Sequence, residues 1–267
     1  MIGATIAASG GHAVQWHGVV SKVVLPAVLS PVIAGGICVL GTMLLYRITR
    51  QVSDGVRGRG FRVGQIGSAS MVSLAHGTND AQKTMGVITL ALIANGSLHA
   101  DAKAPACMII SCAVAISLGT YIGGWRVIRA LGKGLVEIEP QQGMAAESAS
   151  AATILLSSSF GYSLSTTHVA TGSILGSGLG KRGAEVRWGQ AGRMATAWVL
   201  TLPSAGIVGA LAFKAADGIG GQAGVSTIFV VLAAASTAFF LRSRRTAVSA
   251  SNVNEAWTGS VVPAPAA

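Results

Sequence analysis

Long stretches without charge constrain this chain more than any other feature. Residues 23–46 contain no charged side chain, and a helix of twenty-four residues spans the roughly 30 Å of hydrocarbon in a bilayer. Further apolar stretches follow at 104–123, 190–213 and 224–241. Charged residues make up 10% of the sequence, against about 25% in a typical soluble domain. We therefore predict an all-α protein that crosses the cell membrane several times and has the lipid bilayer as a partner.

Basic residues are concentrated between the apolar stretches. Five arginines fall within sixteen residues after the first stretch, namely Arg47, Arg50, Arg57, Arg59 and Arg62. Such clusters are typical of cytoplasmic loops. We expect 49–62 to be a basic cytoplasmic loop and 242–267, which is rich in Ala, Ser and Pro, to be a disordered cytoplasmic tail. The net charge of +10 does not indicate a nucleic-acid partner, because the basic residues do not alternate with aromatics on one face.

Two formal charges interrupt the apolar run at 63–96, and they are Asp80 and Lys83. A charged side chain at membrane depth costs at least about 2.5 to 3.5 kcal/mol on insertion scales, so it is usually kept for a function. Gly77 and Asn79 stand just before the acid, where a helix can break. We predict a broken transmembrane helix with a buried polar site at the break.

A hydroxyl-rich element occupies 141–180 and contains one carboxylate, Glu147. Basic residues flank it on both sides, so both of its ends are expected in the cytoplasm. This pattern predicts a re-entrant helical hairpin with its tip at 161–168. Free N–H groups, hydroxyl donors and the positive end of a helix dipole at such a tip suit a small anion.

The chain matches itself when it is shifted by 172 residues. The matched pairs are Ile2 with Ile174, Gly11 with Gly183, Val14 with Val186, Trp16 with Trp188, and Pro31 with Pro203. The segment 9–21 has no Lys or Arg, whereas 181–193 has four. By the positive-inside rule the two copies enter the membrane from opposite sides, which predicts an inverted repeat. We expect 1–48 to be the end of the first repeat, so that the chain is truncated at its N-terminus, and 63–241 to be the second repeat.

Two motifs carry a resemblance to a known family. The strings HGTNDAQKTMGVITLAL and SLSTTHVATGSILGSGLG, with AAESASAATILL between them, closely resemble the second repeat of the inorganic phosphate transporter (Pit) family. The resemblance implies a secondary transporter of two inverted halves that carries inorganic phosphate, often as a metal-phosphate complex, in symport with H⁺ or Na⁺. The family's binding residues fall here on Asn79, Asp80, Gln82, Lys83, Ser165, Thr166 and Thr167. The motifs of the family's first repeat are absent, so the implied partner is the missing N-terminal half or a second copy.

Each residue of the first motif has two interpretations. Asp80 holds the coupling cation, either Na⁺ or H⁺, or it forms a structural ion pair with Lys83. Lys83 offsets phosphate charge or extends to the membrane interface. Asn79 and Gln82 coordinate the ion or the substrate, or they make helix–helix hydrogen bonds.

The second motif and Glu147 are equally open. The hydroxyls of Ser165, Thr166 and Thr167 donate to phosphate oxygens or cap the second arm of the hairpin, and the two roles are compatible. Glu147 is a second coupling-ion ligand or the partner of a helix terminus. We interpret His168 as an interior structural histidine.

An enzyme is not indicated. Ser165 and His168 lie three residues apart with no orienting acid nearby, and the sequence shows no nucleophile elbow. The three cysteines stand in apolar segments without metal-ligand spacing, so we expect neither a metal site nor a cofactor. The remaining alternatives are a related anion permease, such as one for sulfate, or a fragment that does not transport by itself.

Overall fold

The structure, a computed structural model, describes residues 1–132, 134–162, 164–244, 248–249 and 251–253. Helices form almost all of this part of the chain, and the predicted all-α class is confirmed. They are α1 (Ile2–Ser9), α2 (Trp16–Val19), α3 (Leu25–Ile48), α4 (Asp54–Ala94), α5 (Ala106–Gly132), α6 (Pro140–Ser159), α7 (Thr166–Gly180), α8 (Trp188–Ile219) and α9 (Gly221–Arg244). A π-helical turn, Val20–Val24, joins α2 to α3. Most of the predicted tail at 242–267 lies outside the described residues.

Four helical segments are long and apolar enough to cross a bilayer, at Trp16–Ile48, Ala106–Gly132, Trp188–Ile219 and Gly221–Arg244. In the most apolar 18 residues of each segment, at most 17% of the residues are buried inside the protein. Large apolar side chains such as those of Leu40 and Phe229 point outward instead, with 70% and 71% of their surface exposed. An outward apolar surface of this extent fits lipid contact, so the four segments match a multi-pass membrane protein.

The helices group into two compact units. In one unit, residues 20–187, α7 packs against α3 and α6, α4 packs against α6, and α5 lies against α4. In the other unit, residues 1–19 and the chain from Trp188 onward, α1 packs on α8 and α8 on α9. These limits differ from the predicted ones at 48 and 63. The predicted limits describe a sequence duplication, and they stay predictions.

The contact between α3 and α7 is built from glycines. A Cβ atom on Gly172 would collide with the backbone of Pro31, one on Gly176 with that of Gly35, and one on Gly180 would lie 2.8 Å from the Val39 carbonyl oxygen. The two residue numbers differ by 141 in each pair, so the helices run parallel and stay in register over about two turns. Small residues at this spacing allow two helix backbones to touch.

The predicted break in the motif helix is wrong, because α4 runs without interruption through Gly77 and Asn79. Gly in a helix interior costs about 1 kcal/mol relative to Ala, and the adjacent His76, Thr78, Asn79 and Asp80 are only weak helix formers, so contacts of α4 outweigh local propensity here. The Thr78 hydroxyl donates a hydrogen bond to the Leu74 backbone carbonyl one turn earlier in the same helix. The helix also begins earlier than expected, so 54–62 form its first turns and the connection from α3 is limited to 49–53.

The predicted helical hairpin is present as α6 and α7, and its base is fastened by polar contacts. Glu139 caps α6 in a capping box with Gln142, whose amide nitrogen donates to the Ser177 carbonyl at 3.0 Å. The Glu139 carboxylate also accepts from Lys181 and from the Tyr46 hydroxyl, both at 2.6 Å. The base therefore joins both arms of the hairpin to the end of α3. The course of the hairpin through a bilayer stays a prediction.

Candidate functional site

One face of α4 lies against the hairpin. Ser68, Val72, Ala75 and Asn79 follow one another at spacings of four, three and four residues, which places them on the same side of a helix. Val72 and Ala75 pack into an apolar cluster that includes Ile154 of the hairpin. Asn79 is buried at the end of this cluster, with 5% of its surface exposed.

The backbone carbonyl of Leu164 ties the hairpin tip to α4. It accepts hydrogen bonds from the Asn79 side-chain amide at 3.2 Å and from the Lys83 ammonium at 2.6 Å. Leu164 directly precedes Ser165, where α7 is capped. Two residues of the first motif therefore contact the chain beside the second motif. Sequence reasoning missed Leu164, because a backbone carbonyl has no side-chain signature.

Asp80 has a lysine and a histidine as partners on its own helix. Its carboxylate oxygens lie 3.1 Å from the Lys83 ammonium and 3.2 Å from the Nε2 atom of His76. The side chains of Asp80 and Lys83 are 34% and 40% exposed. An ion pair at this exposure contributes about 1 kcal/mol or less to stability, so its partners can exchange at small cost. The ion pair expected as the structural alternative for Asp80 is thus present.

A cavity of about 250 Å³ opens where α4 meets the hairpin tip. The described residues that line it are Asn79, Gln82, Lys83, Ser158, Gly161 and Tyr162. Three of them belong to the predicted set, and the other three come from the hairpin. The ammonium and amide groups of α4 and the hydroxyl groups of the hairpin allow the cavity to hold a small anion or ordered water.

The hydroxyls of the second motif differ in their surroundings. The Ser165 hydroxyl accepts from the backbone N–H of His168 at 3.4 Å and caps α7, as the capping interpretation expects. Thr166 is buried, and Thr167 is exposed. None of the three is among the described residues that line the cavity. Their predicted role as phosphate ligands stays a prediction.

Glu147 stands apart from the other predicted coupling-ion ligands. Its carboxylate accepts from the Ser68 hydroxyl at 2.6 Å. Ser68 precedes Asn79 by eleven residues, which is about 16 Å along a helix. The apolar cluster around Ala75 lies between the two positions. The structure therefore brings Asn79 and Asp80 together and leaves Glu147 at a separate polar level.

Within the described ranges, no group of three or more His, Cys, Asp or Glu side chains is arranged to hold a metal ion. The polar groups that line the cavity are one ammonium, amides and hydroxyls.

Comparison with known proteins adds a family and a fold. The sequence profile described as "Phosphate transporter family" matches residues 52–209. A protein of Mycobacterium tuberculosis named "Probable low-affinity inorganic phosphate transporter" is 60% identical over 262 residues, which are 98% of this chain and 63% of that protein. A Bacillus subtilis protein of the same name is 41% identical over 79% of this chain and 63% of its own length. This chain thus spans less than two thirds of both relatives.

One solved structure, described as "The sodium-dependent phosphate transporter", shares the fold. It superposes with a TM-score of 0.66 over 80% of this chain and 70% of that chain. The identity is 20%, so the likeness concerns the fold alone.

Proposed function

The chain belongs to the phosphate transporter family, and from that premise we propose that it carries the phosphate-binding half of a secondary transporter. The observation that carries this proposal is the cavity of about 250 Å³ below the hairpin tip, where the Lys83 ammonium and the Asn79 and Gln82 amides face the hairpin. The substrate is inorganic phosphate, either free or as a metal-phosphate complex. We assign no enzymatic step and no cofactor to this chain.

Lys83 supplies the charge that a phosphate needs in this cavity. Two of its three N–H groups are used by Asp80 and by the Leu164 carbonyl. The remaining one and the nearby amides suit phosphate oxygens, because charge-assisted hydrogen bonds are the stronger ones. The hydroxyls of Ser165, Thr166 and Thr167 are proposed to join these donors when the tip moves toward the anion.

The same lysine couples the anion to a cation. Phosphate draws the Lys83 ammonium toward itself and away from the Asp80 carboxylate. The carboxylate then lacks its neighbour at 3.1 Å and gains affinity for a positive ion. That ion is H⁺ or Na⁺, since a carboxylate and neighbouring oxygens suit either one. The Asn79 amide nitrogen donates to the Asp80 carboxylate at 3.4 Å. We propose that the amide oxygen of Asn79 also binds the cation, and that Glu147 is a second cation ligand at its separate level.

Two helix packings support the proposed inverted repeat. Helical segments begin at Trp16 and at Trp188, which differ by the predicted 172 residues. In the predicted repeat, α1 corresponds to α7 and α8 corresponds to α3, so the α1–α8 contact is the counterpart of the α7–α3 contact. Contacting residues of α7 and α3 differ by 141 in number. With a repeat shift of 172, contacting residues of α1 and α8 must then differ by 203. A Cβ on Gly3 would collide with Gly206, whose number differs by 203.

A second half is proposed to complete the site. Gln82, Lys83 and Tyr162 are exposed in this chain, so a phosphate bound against them alone would keep much of its hydration. The covering half comes from a longer chain, as in the relatives, or from a second copy in the opposite orientation. A fragment without either partner binds phosphate weakly and does not transport it.

Radiolabelled phosphate uptake into proteoliposomes tests the proposal. The chain is reconstituted alone and with the N-terminal third of the Mycobacterium tuberculosis relative, each with its Asp80→Asn variant. We expect uptake with the added segment, driven by an H⁺ or Na⁺ gradient, and none with the variant. Excess sulfate tests the permease alternative. Inhibition by sulfate equal to that by unlabelled phosphate would contradict the substrate, and full uptake by Asp80→Asn would remove Asp80 from the coupling.

A further inference from the structure

Pro31 leaves one backbone carbonyl of α3 without its helical hydrogen-bond donor, and a histidine of the hairpin donates to that carbonyl instead. Proline has no N–H, so the carbonyl four residues earlier, that of Ala27, loses its usual hydrogen bond. The Nδ1 atom of His168 lies 3.0 Å from the Ala27 oxygen. A carbonyl can only accept, so Nδ1 carries the hydrogen whether the ring is neutral or protonated.

This hydrogen bond continues the glycine contact between α3 and α7. His168 and Ala27 differ by 141, as do Gly172 and Pro31, and it is the step nearest the hairpin tip. The glycine contacts hold the two backbones close together. Van der Waals contact between small residues, however, does little to fix the position of one helix along the axis of the other. The hydrogen bond has direction, and the proline frees only the Ala27 carbonyl for it.

We propose that His168 is a positioning residue that fixes the start of α7 on α3. The bond lies one turn after Leu164, whose carbonyl receives Asn79 and Lys83. By holding the first turn of α7 in place, it sets the position of that carbonyl and of the Ser165 cap relative to α4. Its effect on phosphate rests on the proposed function, whereas its effect on the helix register does not.

Substitutions at both partners test the bond. His168→Leu removes the donor, and His168→Asn keeps an N–H the same number of bonds from Cβ as Nδ1. Pro31→Ala returns a backbone N–H to the Ala27 carbonyl and makes the histidine dispensable there. The full chain in lipid nanodiscs is followed by hydrogen exchange of the peptide 160–168. His168→Leu should accelerate this exchange about 2- to 10-fold, while His168→Asn stays near the parent.

The two backgrounds distinguish a positioning bond from general packing. In the Pro31→Ala background, we expect His168→Leu to change the exchange less than about 2-fold, because the carbonyl already has a partner. Equal acceleration in both backgrounds, no acceleration in either, or no rescue by His168→Asn would overturn the proposal. Should His168→Leu fail to insert, His168→Ala replaces it, because alanine has no hydrogen-bond donor in its side chain.

Phosphate uptake gives a second reading in the assay with the added N-terminal segment. We expect His168→Leu to raise the KM for phosphate several-fold with Vmax retained, and Asn to restore it. If hydrogen exchange depends on both His168 and Pro31 as expected but the parent shows no uptake, the positioning bond is supported and the proposed function is contradicted. If the parent takes up phosphate and His168→Leu leaves the KM unchanged, the proposed function is supported and the positioning role of His168 is contradicted.

Discussion

The hairpin makes two different kinds of contact. Its arm α7 packs against α3 through backbone atoms, whereas its tip contacts α4 through polar side chains. Against α3, Gly172 and Gly176 bring backbone onto backbone, and no side chain lies between the helices at these steps. Against α4, two polar side chains reach one carbonyl, and a cavity of about 250 Å³ stays open beside them. Close-packed backbones leave no room for small displacements, whereas an ammonium on a flexible stem can exchange partners.

The difference separates a fixed support from an adjustable site. A transporter needs both, because the site must alter its contacts when the substrate binds while the elements around it keep their shape. Under the proposed function, the α3 side is the fixed support, and the α4 side carries the groups that respond to phosphate. The predictions below test each side, beginning with the largest expected effect.

Gly176→Ala should damage the α3 side most severely. The new methyl group would collide with the carbonyl of Gly35, a backbone atom that cannot turn aside. Overpacking of this kind costs about 1–3 kcal/mol, and occasionally more. The midpoint of thermal unfolding in detergent, followed by tryptophan fluorescence, should fall by several degrees. Gly119→Ala is the matched control, because its Cβ meets nothing within 4 Å and the change favours helix. Equal midpoints for the two variants would show that the close approach is not rigid.

Asp80→Asn should abolish coupled uptake while it leaves the fold intact. The change is nearly isosteric and removes the charge that faces Lys83 and His76. The ion pairs are within one helix and partly exposed, so unfolding should change by about 0.5 kcal/mol or less. Uptake and the thermal midpoint are measured on the same preparation. Asp101→Asn, in an exposed loop, should alter neither quantity. A large loss of stability in Asp80→Asn would place the residue on the supporting side instead.

Lys83→Gln should weaken phosphate binding about tenfold, the effect of losing one charge-assisted hydrogen bond. The glutamine still reaches toward the cavity, but it carries no charge for the anion or for Asp80. Binding of radiolabelled phosphate to the chain with the added N-terminal segment gives the dissociation constant. Lys103→Gln, which removes an exposed charge elsewhere, controls for net charge. An unchanged constant in Lys83→Gln would leave Lys83 as the partner of Asp80 and Leu164 only.

The sequence predicted the supporting side better than the site. Apolar stretches placed the membrane-spanning helices to within several residues, except that α5 and α8 extend past 123 and 213. Basic residues on both sides of 141–180 correctly predicted a hairpin. The helical course of Gly77 and Asn79 was not predicted, because the hydrogen bond from Asn79 to Leu164 joins residues 85 positions apart. Local propensity does not contain that partner.

The candidate site also depends on contacts between residues that are far apart in the sequence. Lys83 was named because a charge is conspicuous in an apolar run, and the resemblance to the phosphate transporter family added Asn79 and Gln82. These three residues line one cavity. Ser158 and Tyr162 were not singled out, since neither residue type is unusual beside a hairpin tip. Glu147 was expected to be a second coupling-ion ligand or the partner of a helix terminus, and its distance from Asp80 depends on where α6 meets α4.

Glu139→Gln should have the smallest effect, and it tests whether the hairpin base behaves like the tip. The change weakens two contacts, with Lys181 and Tyr46, that lie at the surface, where the carboxylate is 48% exposed. Gln142 still anchors the arms through Ser177, so the free energy of unfolding should fall by no more than about 1 kcal/mol, and less at high salt. Unfolding in detergent at two salt concentrations measures this. Phosphate binding should stay unchanged, because several weak contacts together hold the base. A loss of binding as large as that of Lys83→Gln would mean that the base moves together with the tip, and the fixed support would then be limited to the glycine contact with α3.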